Sequence, residues 1–224
     1  MKQFWLNKNN NQNLIIFFGG WGSDYHPFAP LNSINYDVLL FYDYRSLAPP
    51  GELKQILDSY ENISIIGWSL GVWVANLICS PYKSYFTVGM AINGTLDPIS
   101  DQNGIPNQIF EGTLQNLSPL NLIKFNRRMI QLPAERRKFE TNIPKRGWEE
   151  LRDELKHLKE YITPSKNSFF NCAVIGASDL IFPVENQTNA WKNTVRTYQT
   201  NGSHFPFYQY NTWDEIIRLH EHKQ

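Results

Sequence analysis

The sequence predicts an α/β fold: a mostly parallel sheet flanked by helices, with a helical segment inserted between two of its strands. Three observations predict it. Short apolar runs alternate with amphipathic stretches along most of the 224 residues, the pattern of repeated strand–helix–strand units. The run Leu14-Ile15-Ile16-Phe17-Phe18 is continuously apolar, as a strand covered on both faces must be. Between Leu96 and Ser168 the strand signals stop, and Pro98, Pro106, Pro119, Pro133, Pro144 and Pro164 cut the chain into short helical pieces. A segment of about seventy residues is too long for an ordinary connection. The expected division is a core of residues 1–95 and 169–224 with a helical lid of residues 96–168.

The elements follow in order. Lys2 to Leu6 reads as an edge strand, and the Asn-rich run Asn7-Lys8-Asn9-Asn10-Asn11 as a hairpin turn. After the Leu14 strand comes Gly19-Gly20-Trp21-Gly22-Ser23. Tyr36 to Tyr42 is a strand that Asp43-Tyr44-Arg45 leaves. Glu52 to Tyr60 is a short amphipathic helix behind Pro49-Pro50-Gly51. A strand from Ile63, a turn at Ser69 and a helix to Cys79 follow, stopped by Pro81. Phe86 to Ile92 is the next strand. Within the lid, Pro119 to Met129, Ala134 to Phe139 and Trp148 to Tyr161 read as helices, the first capped by Ser118. Phe169 to Ile175 and Thr194 to Thr200 are the last strands, with a short helix from Asn186 to Trp191 between them. Asn211 to His220 closes the chain as a helix capped by Asn211 or Thr212.

Composition excludes several classes. Twenty-one basic residues balance twenty-one acidic ones, so net charge points to no partner. Cys79 and Cys172 belong to no Cys-x-x-Cys pair and read as buried, reduced thiols of a cytoplasmic protein. The start carries no secretory pattern, and no apolar run approaches a bilayer span. Gly19-Gly20-Trp21-Gly22 lacks dinucleotide spacing. There is no phosphate-binding loop and no metal-ligand spacing of His, Cys and acids, so neither cofactor nor metal is expected.

Gly67-Trp68-Ser69-Leu70-Gly71 fits G-x-S-x-G between a β-branched strand and a helix, which is the nucleophile elbow of the α/β-hydrolase fold. Serine needs a base to take its proton and an acid to orient that base. Of five histidines, only His204 follows the final strand on a Gly-Ser loop, where this fold places its base. His220 and His222 lie in the closing helix and tail, and His157 in a charged lid helix. His26 lies near the first glycine loop, within reach of a substrate. Asp179, after the penultimate strand, gives the chain order Ser69, Asp179, His204. Asp97 is the alternative acid and Asp101 a weaker third. Asp214 follows the histidine and reads as a first-turn helix acid. Acyl transfer also needs donors for the developing oxyanion. The backbone N–H groups of Leu70 and Trp21 suit that role, with the Trp21 indole over the site.

The lid concentrates charge. From Asn121 to Arg146, the eight basic residues Lys124, Arg127, Arg128, Arg136, Arg137, Lys138, Lys145 and Arg146 face only Glu135 and Glu140, a net of six positive charges. The plain reading is a solvated face. The functional one is an acidic macromolecule docking beside the site. The patch lacks the interleaved aromatics of a nucleic-acid groove.

Phe17-Phe18-Gly19-Gly20-Trp21-Gly22, the elbow and Gly202-Ser203-His204-Phe205-Pro206-Phe207 together resemble the pimeloyl-[acyl-carrier protein] methyl ester esterases of biotin synthesis, most closely the compact BioG type. The resemblance implies hydrolysis of that methyl ester to methanol and pimeloyl-ACP. It makes Ser69 the nucleophile, His204 the proton shuttle, Asp179 its orienting acid, and Trp21 and Leu70 the oxyanion donors. It also implies an acidic carrier protein docking on Arg127, Arg128, Arg136, Arg137 and Lys138. The competing readings are a general small-acyl esterase or thioesterase independent of a carrier, and a hydrolase-fold binding protein without catalysis.

Overall fold

The computed structural model describes residues 1–165 and 167–221. His222 lies outside them. One sheet carries seven strands: β1 (Lys2–Asn7), β2 (Asn13–Phe18), β3 (Tyr36–Tyr42), β4 (Asn62–Trp68), β5 (Phe86–Ile92), β6 (Cys172–Gly176) and β7 (Arg196–Thr200). Their order is β1-β3-β2-β4-β5-β6-β7. Only β1 runs antiparallel, against β3. The continuous apolar runs of β2 and β4 are buried on both faces, as parallel central strands require.

The order reverses at β2. The chain goes from β2 outward to β3, then crosses back to β4 on the other side. Carboxyl ends of strands beside such a reversal form a crevice, the general place for a ligand in open α/β sheets. Phe18 pairs with both Phe41 and Gly67, so the glycine loop after β2 and the turn after β4 leave the sheet at one level.

Helices cover the sheet. They are α1 (Leu53–Asp58), α2 (Leu70–Cys79), α7 (Val184–Trp191) and α8 (Trp213–Ile217), with α3 (Asn107–Gln115), α4 (Pro119–Met129), α5 (Pro133–Thr141) and α6 (Trp148–Tyr161) all between β5 and β6. α2 is apolar nearly all round and buried except at Leu77. The Ser118 and Thr212 hydroxyls accept from the backbone N–H of Asn121 and Glu215, capping α4 and α8 as expected. α3 is not legible as a helix, because Pro98 and Pro106 before it and Gly112 within it mimic a broken segment. Its amphipathic pair Phe110 and Leu114 nevertheless packs inward. Several ends also shift. α1 is shorter than expected, β6 starts at Cys172 rather than Phe169, and a 3-10 turn (Arg218–Glu221) continues from α8.

The Asn-rich run is not a hairpin turn. β3 lies between β1 and β2, so the run carries the chain past an intervening strand. Its anchor is the buried Asp37 carboxylate on β3. That group accepts from the backbone N–H of Asn9 (2.8 Å) and Asn11 (3.2 Å), the Tyr60 hydroxyl (2.8 Å) and the Lys8 ammonium (3.0 Å). Burial opposes its ionisation, but these donors outweigh it and hold the carboxyl at about 2.

A carboxyl held below its ordinary value stabilises the fold above that ordinary value and ceases to do so as pH falls through the lowered one. The measurement is the thermal stability of Asp37→Asn and wild type from pH 7 to pH 2. The loss caused by Asp37→Asn is expected to be full at neutral pH and to shrink between 3.8 and about 2. A loss that stays constant with pH contradicts this role.

Candidate active site

Ser69 connects β4 to α2 with φ 58° and ψ −130°, a conformation costly for a residue with a side chain. Its flanking glycines permit it. A Cβ on Gly71 would lie 2.3 Å from the Gly19 carbonyl oxygen and 2.4 Å from that of Phe18, and one on Gly67 would lie 2.7 Å from Val72 Cα. The helix and the glycine loop therefore approach backbone to backbone. The Ser69 N–H donates to the Ile92 carbonyl (3.0 Å), tying the turn to β5.

Ser69 Oγ lies 3.0 Å from His204 Nε2, and His204 Nδ1 lies 2.8 Å from Asp179 Oδ2. All three residues are buried. The Asp179 carboxylate also accepts from the backbone N–H of Ile181 (2.8 Å) and Phe182 (2.9 Å) and from the Gln187 amide (3.0 Å). A carboxylate only accepts, so Nδ1 of His204 donates to it, and in the neutral imidazole Nε2 is left to accept from Ser69. The arrangement is a hydrogen-bonded chain running from a buried acid to a hydroxyl.

Three further residues hold the histidine, and the sequence reading missed their part. The Trp68 indole N–H donates to the His204 carbonyl (2.8 Å). The Asn93 amide donates to the Ser203 and His204 carbonyls (both 2.9 Å) while its oxygen accepts from the Gly176 N–H (2.7 Å). Phe182 stacks on the imidazole with ring centres 5.9 Å apart. Trp68 sits inside the elbow motif and Asn93 directly after the Phe86 strand, but nothing local shows that they face residues more than a hundred positions away.

An apolar cavity opens on this hydrogen-bonded chain, lined by Ser69, His204, Leu70, Trp21, Leu155 and Ile181 among others. Among the described residues, no acceptor pairs with the backbone N–H of Leu70 or of Trp21. The Trp21 indole donates to the Leu151 carbonyl (2.7 Å), which fixes the ring in the cavity wall.

The other candidates lie elsewhere. Asp97 accepts from the Asn103 amide (3.2 Å), and Asp101 accepts from the Asn107 N–H at the start of α3 (2.8 Å). Asp214 is more than a first-turn acid. It accepts from Ser33, Ile34 and Asn35, and these bonds outweigh burial and hold its carboxyl below the ordinary range. His26 pairs with Asp24 (3.0 Å) outside the cavity lining. His157 packs on Tyr161, and His220 meets the Ile217 carbonyl. Both cysteines are buried and free; burial pushes the Cys79 thiol far up and that of Cys172 to about 12.

The basic patch divides. Arg127, Arg128 and Arg137 are exposed. Arg136 is taken up by the Ile130 (3.2 Å) and Gln131 (3.0 Å) carbonyls, and the Lys138 ammonium lies over the Tyr208 ring. The Arg146 side chain is buried, bridging Asp43 (3.0 Å) and Glu154 (2.8 Å), so its charge adds nothing to a surface patch. Burial raises the Glu154 carboxyl from its ordinary value against the pull of Arg146.

The sheet, the elbow and the crevice are those of an α/β-hydrolase. The enol-lactonase of Burkholderia xenovorans superposes with a TM-score of 0.66 at 12% identity, covering 98% of this chain and 94% of that one. BioG of Haemophilus influenzae superposes with a TM-score of 0.86 at 30% identity, covering 97% of this chain and all of that one. The chain belongs to the BioG family, described as the pimeloyl-ACP methyl esterases, whose model matches residues 1–216. It is also 40% identical over 196 residues to a malonyl-[acyl-carrier protein] O-methyltransferase of Bacteroides fragilis. That match covers 85% of this chain and 39% of the relative, so the chain spans about two-fifths of the relative's length.

The geometry separates the two candidate acids. Asp179→Asn keeps the shape but inverts one hydrogen-bonding group, and it is expected to lower the hydrolytic kcat by about a thousandfold or more. Asp97→Asn is expected to stay within about twofold of wild type, since Asp97 serves a loop. Steady-state kinetics of the two variants decide the matter, and equal losses would remove Asp179 from its role.

Proposed function

We propose that this chain is a serine carboxylesterase acting on the methyl ester of pimeloyl-[acyl-carrier protein] methyl ester, releasing methanol and pimeloyl-ACP for biotin biosynthesis in the cytoplasm. One observation carries the reading: a relay from Asp179 through His204 to Ser69 that opens on an apolar cavity, in a chain of the BioG family.

The Ser69 oxygen attacks the ester carbonyl while its proton passes to His204 Nε2. The imidazolium is stabilised by Asp179 across Nδ1. The backbone N–H groups of Trp21 and Leu70 take the oxyanion of the tetrahedral adduct. Its collapse breaks the bond to the methoxy group, which leaves as methanol with the proton from His204. Water then attacks the acyl-enzyme, giving its proton to His204, and Ser69 departs with that proton. The product bears a carboxylate where the substrate bore a neutral ester. A charge in an apolar cavity is disfavoured, which drives release of the product.

Helices α3 to α6 serve as the lid over this cavity. Its exposed Arg127, Arg128 and Arg137 attract the acidic carrier, and Arg128 also lines the cavity itself. Arg136 and Lys138, engaged within the fold, have the weaker claim.

Two comparisons test this. Ser69→Ala is expected to abolish methanol release from the carrier-bound ester; retained release would remove Ser69 as nucleophile. Replacing Arg127 and Arg137 together by alanine is expected to lower kcat/KM for the carrier-bound ester by about tenfold or more at low salt, and to spare p-nitrophenyl acetate. Equal losses on both substrates would favour a small-acyl esterase with no use for a carrier.

A further inference from the structure

The glycine loop after β2 is joined residue by residue to the segment 145–154 of the insertion. The Trp21 indole donates to the Leu151 carbonyl (2.7 Å). The Gly22 N–H donates to Glu154 Oε2 (3.3 Å). The Ser23 carbonyl accepts from Arg146 (3.2 Å), and the Asp24 carboxylate accepts from the Lys145 N–H (2.8 Å). Four consecutive loop residues thus bond to one stretch more than a hundred positions away.

Glu154 is the centre of that joint. It is fully buried on α6. One oxygen takes the Tyr44 N–H (2.7 Å) behind β3, and the other takes Gly22 N–H and Arg146 together. Arg146 in turn pairs with Asp43 (3.0 Å). A buried carboxylate that touches no reacting atom is an expensive way to join two elements, since apolar packing of the same volume often serves as well. What a carboxylate adds is direction. It accepts along defined lines, and here it fixes the peptide between Trp21 and Gly22. Gly22 has φ 78°, a conformation in which that peptide lacks the restraint of a helix or strand.

We propose that Glu154 is a positioning residue for the oxyanion donor, holding the Trp21–Gly22 peptide through the Gly22 N–H so that the neighbouring Trp21 N–H faces the cavity. This rests on the esterase reading above. Glu154 touches no reacting atom and acts through Gly22. Arg146 opposes the upward push of burial on the Glu154 carboxyl and braces it at 2.8 Å. α6 is accordingly part of the site's fixed frame.

The test compares purified full-length wild type, Glu154→Gln and Asp214→Asn. Asp214 is the matched control: a buried carboxylate with several donors, remote from the loop. The readouts are thermal midpoint, steady-state kinetics on p-nitrophenyl butyrate, and inhibition by an alkyl trifluoromethyl ketone, whose serine adduct bears an oxyanion. Glu154→Gln presents an amide donor where an acceptor stood. It is expected to lower kcat by about ten- to a hundredfold with KM within about twofold, and to raise the ketone inhibition constant by the same factor as kcat falls. Asp214→Asn is expected to lower the thermal midpoint comparably while leaving kcat and ketone affinity within about twofold of wild type. Should Glu154→Gln fail to fold, Arg146→Lys carries the same test, since it keeps the charge but not the fork that reaches both Ser23 and Asp43. Unchanged kcat and ketone affinity in the loop-facing variant overturn the proposal, as do losses that match those of Asp214→Asn. If wild type hydrolyses the small ester but not the carrier-bound one, the substrate assignment falls, and the Glu154 comparison on the small ester keeps the same expectations.

Discussion

Ser69 is held at positive φ between two backbones in contact, and the rest of the site depends on that constraint. The elbow places a hydroxyl at the carboxyl edge of the sheet only because α2 packs against the loop after β2 with no side chain between them at Gly71. That contact brings the Trp21 amide and the serine to the same crevice. It also locates Trp68, the residue between Gly67 and Ser69. Its indole N–H holds the His204 carbonyl, and its ring meets Phe205 and Phe207 edge-on at centroid distances of 5.4 Å. Phe17, Phe28 and Trp213 extend this cluster under β2 and α8. The histidine loop is therefore packed onto the elbow itself, and the short contact between Nε2 and Oγ follows from core packing as much as from the hydrogen bond.

The insertion has two characters. α6 and the residues just before it are bonded to the glycine loop through Trp21, Gly22, Ser23 and the ionic group around Glu154. α4 and α5 carry the exposed Arg127, Arg128 and Arg137 and touch the histidine loop by fewer ties, such as the Phe205 N–H donating to the Met129 carbonyl (3.1 Å). On the proposed reading, a substrate on an acidic carrier would meet α4 and α5 first, with α6 bracing the glycine loop behind them.

Much of this was legible in the sequence, for a physical reason. Continuous apolar strands, flanking glycines and a histidine after the last strand are local requirements, so each leaves a local mark. What stayed hidden was set by distant partners. The run Asn7 to Asn11 looks like a hairpin because nothing near it reveals that β3 will intervene or that Asp37 will collect its amides. Asp179 and Asp97 both follow strands, and only the packed loops show which one reaches His204. Arg146 counts as one more lid cation until Asp43 and Glu154 bury it. Arg136 likewise has the composition of a docking residue and the position of a brace for two carbonyls. Asn93 and Gln187, which fix the histidine loop and the acid, match no motif and are visible only once β5, β6 and α7 are assembled.

The central claim is that Ser69, and no other side chain, is the activated nucleophile of the relay. Fluorophosphonate labelling of the full-length protein, followed by peptide mapping, addresses it directly, because the reagent forms a stable adduct only with a serine whose proton is taken by a poised base. A single adduct on the peptide carrying Ser69, absent from His204→Ala, is the predicted result. No adduct on wild type, or one on a different residue, contradicts it.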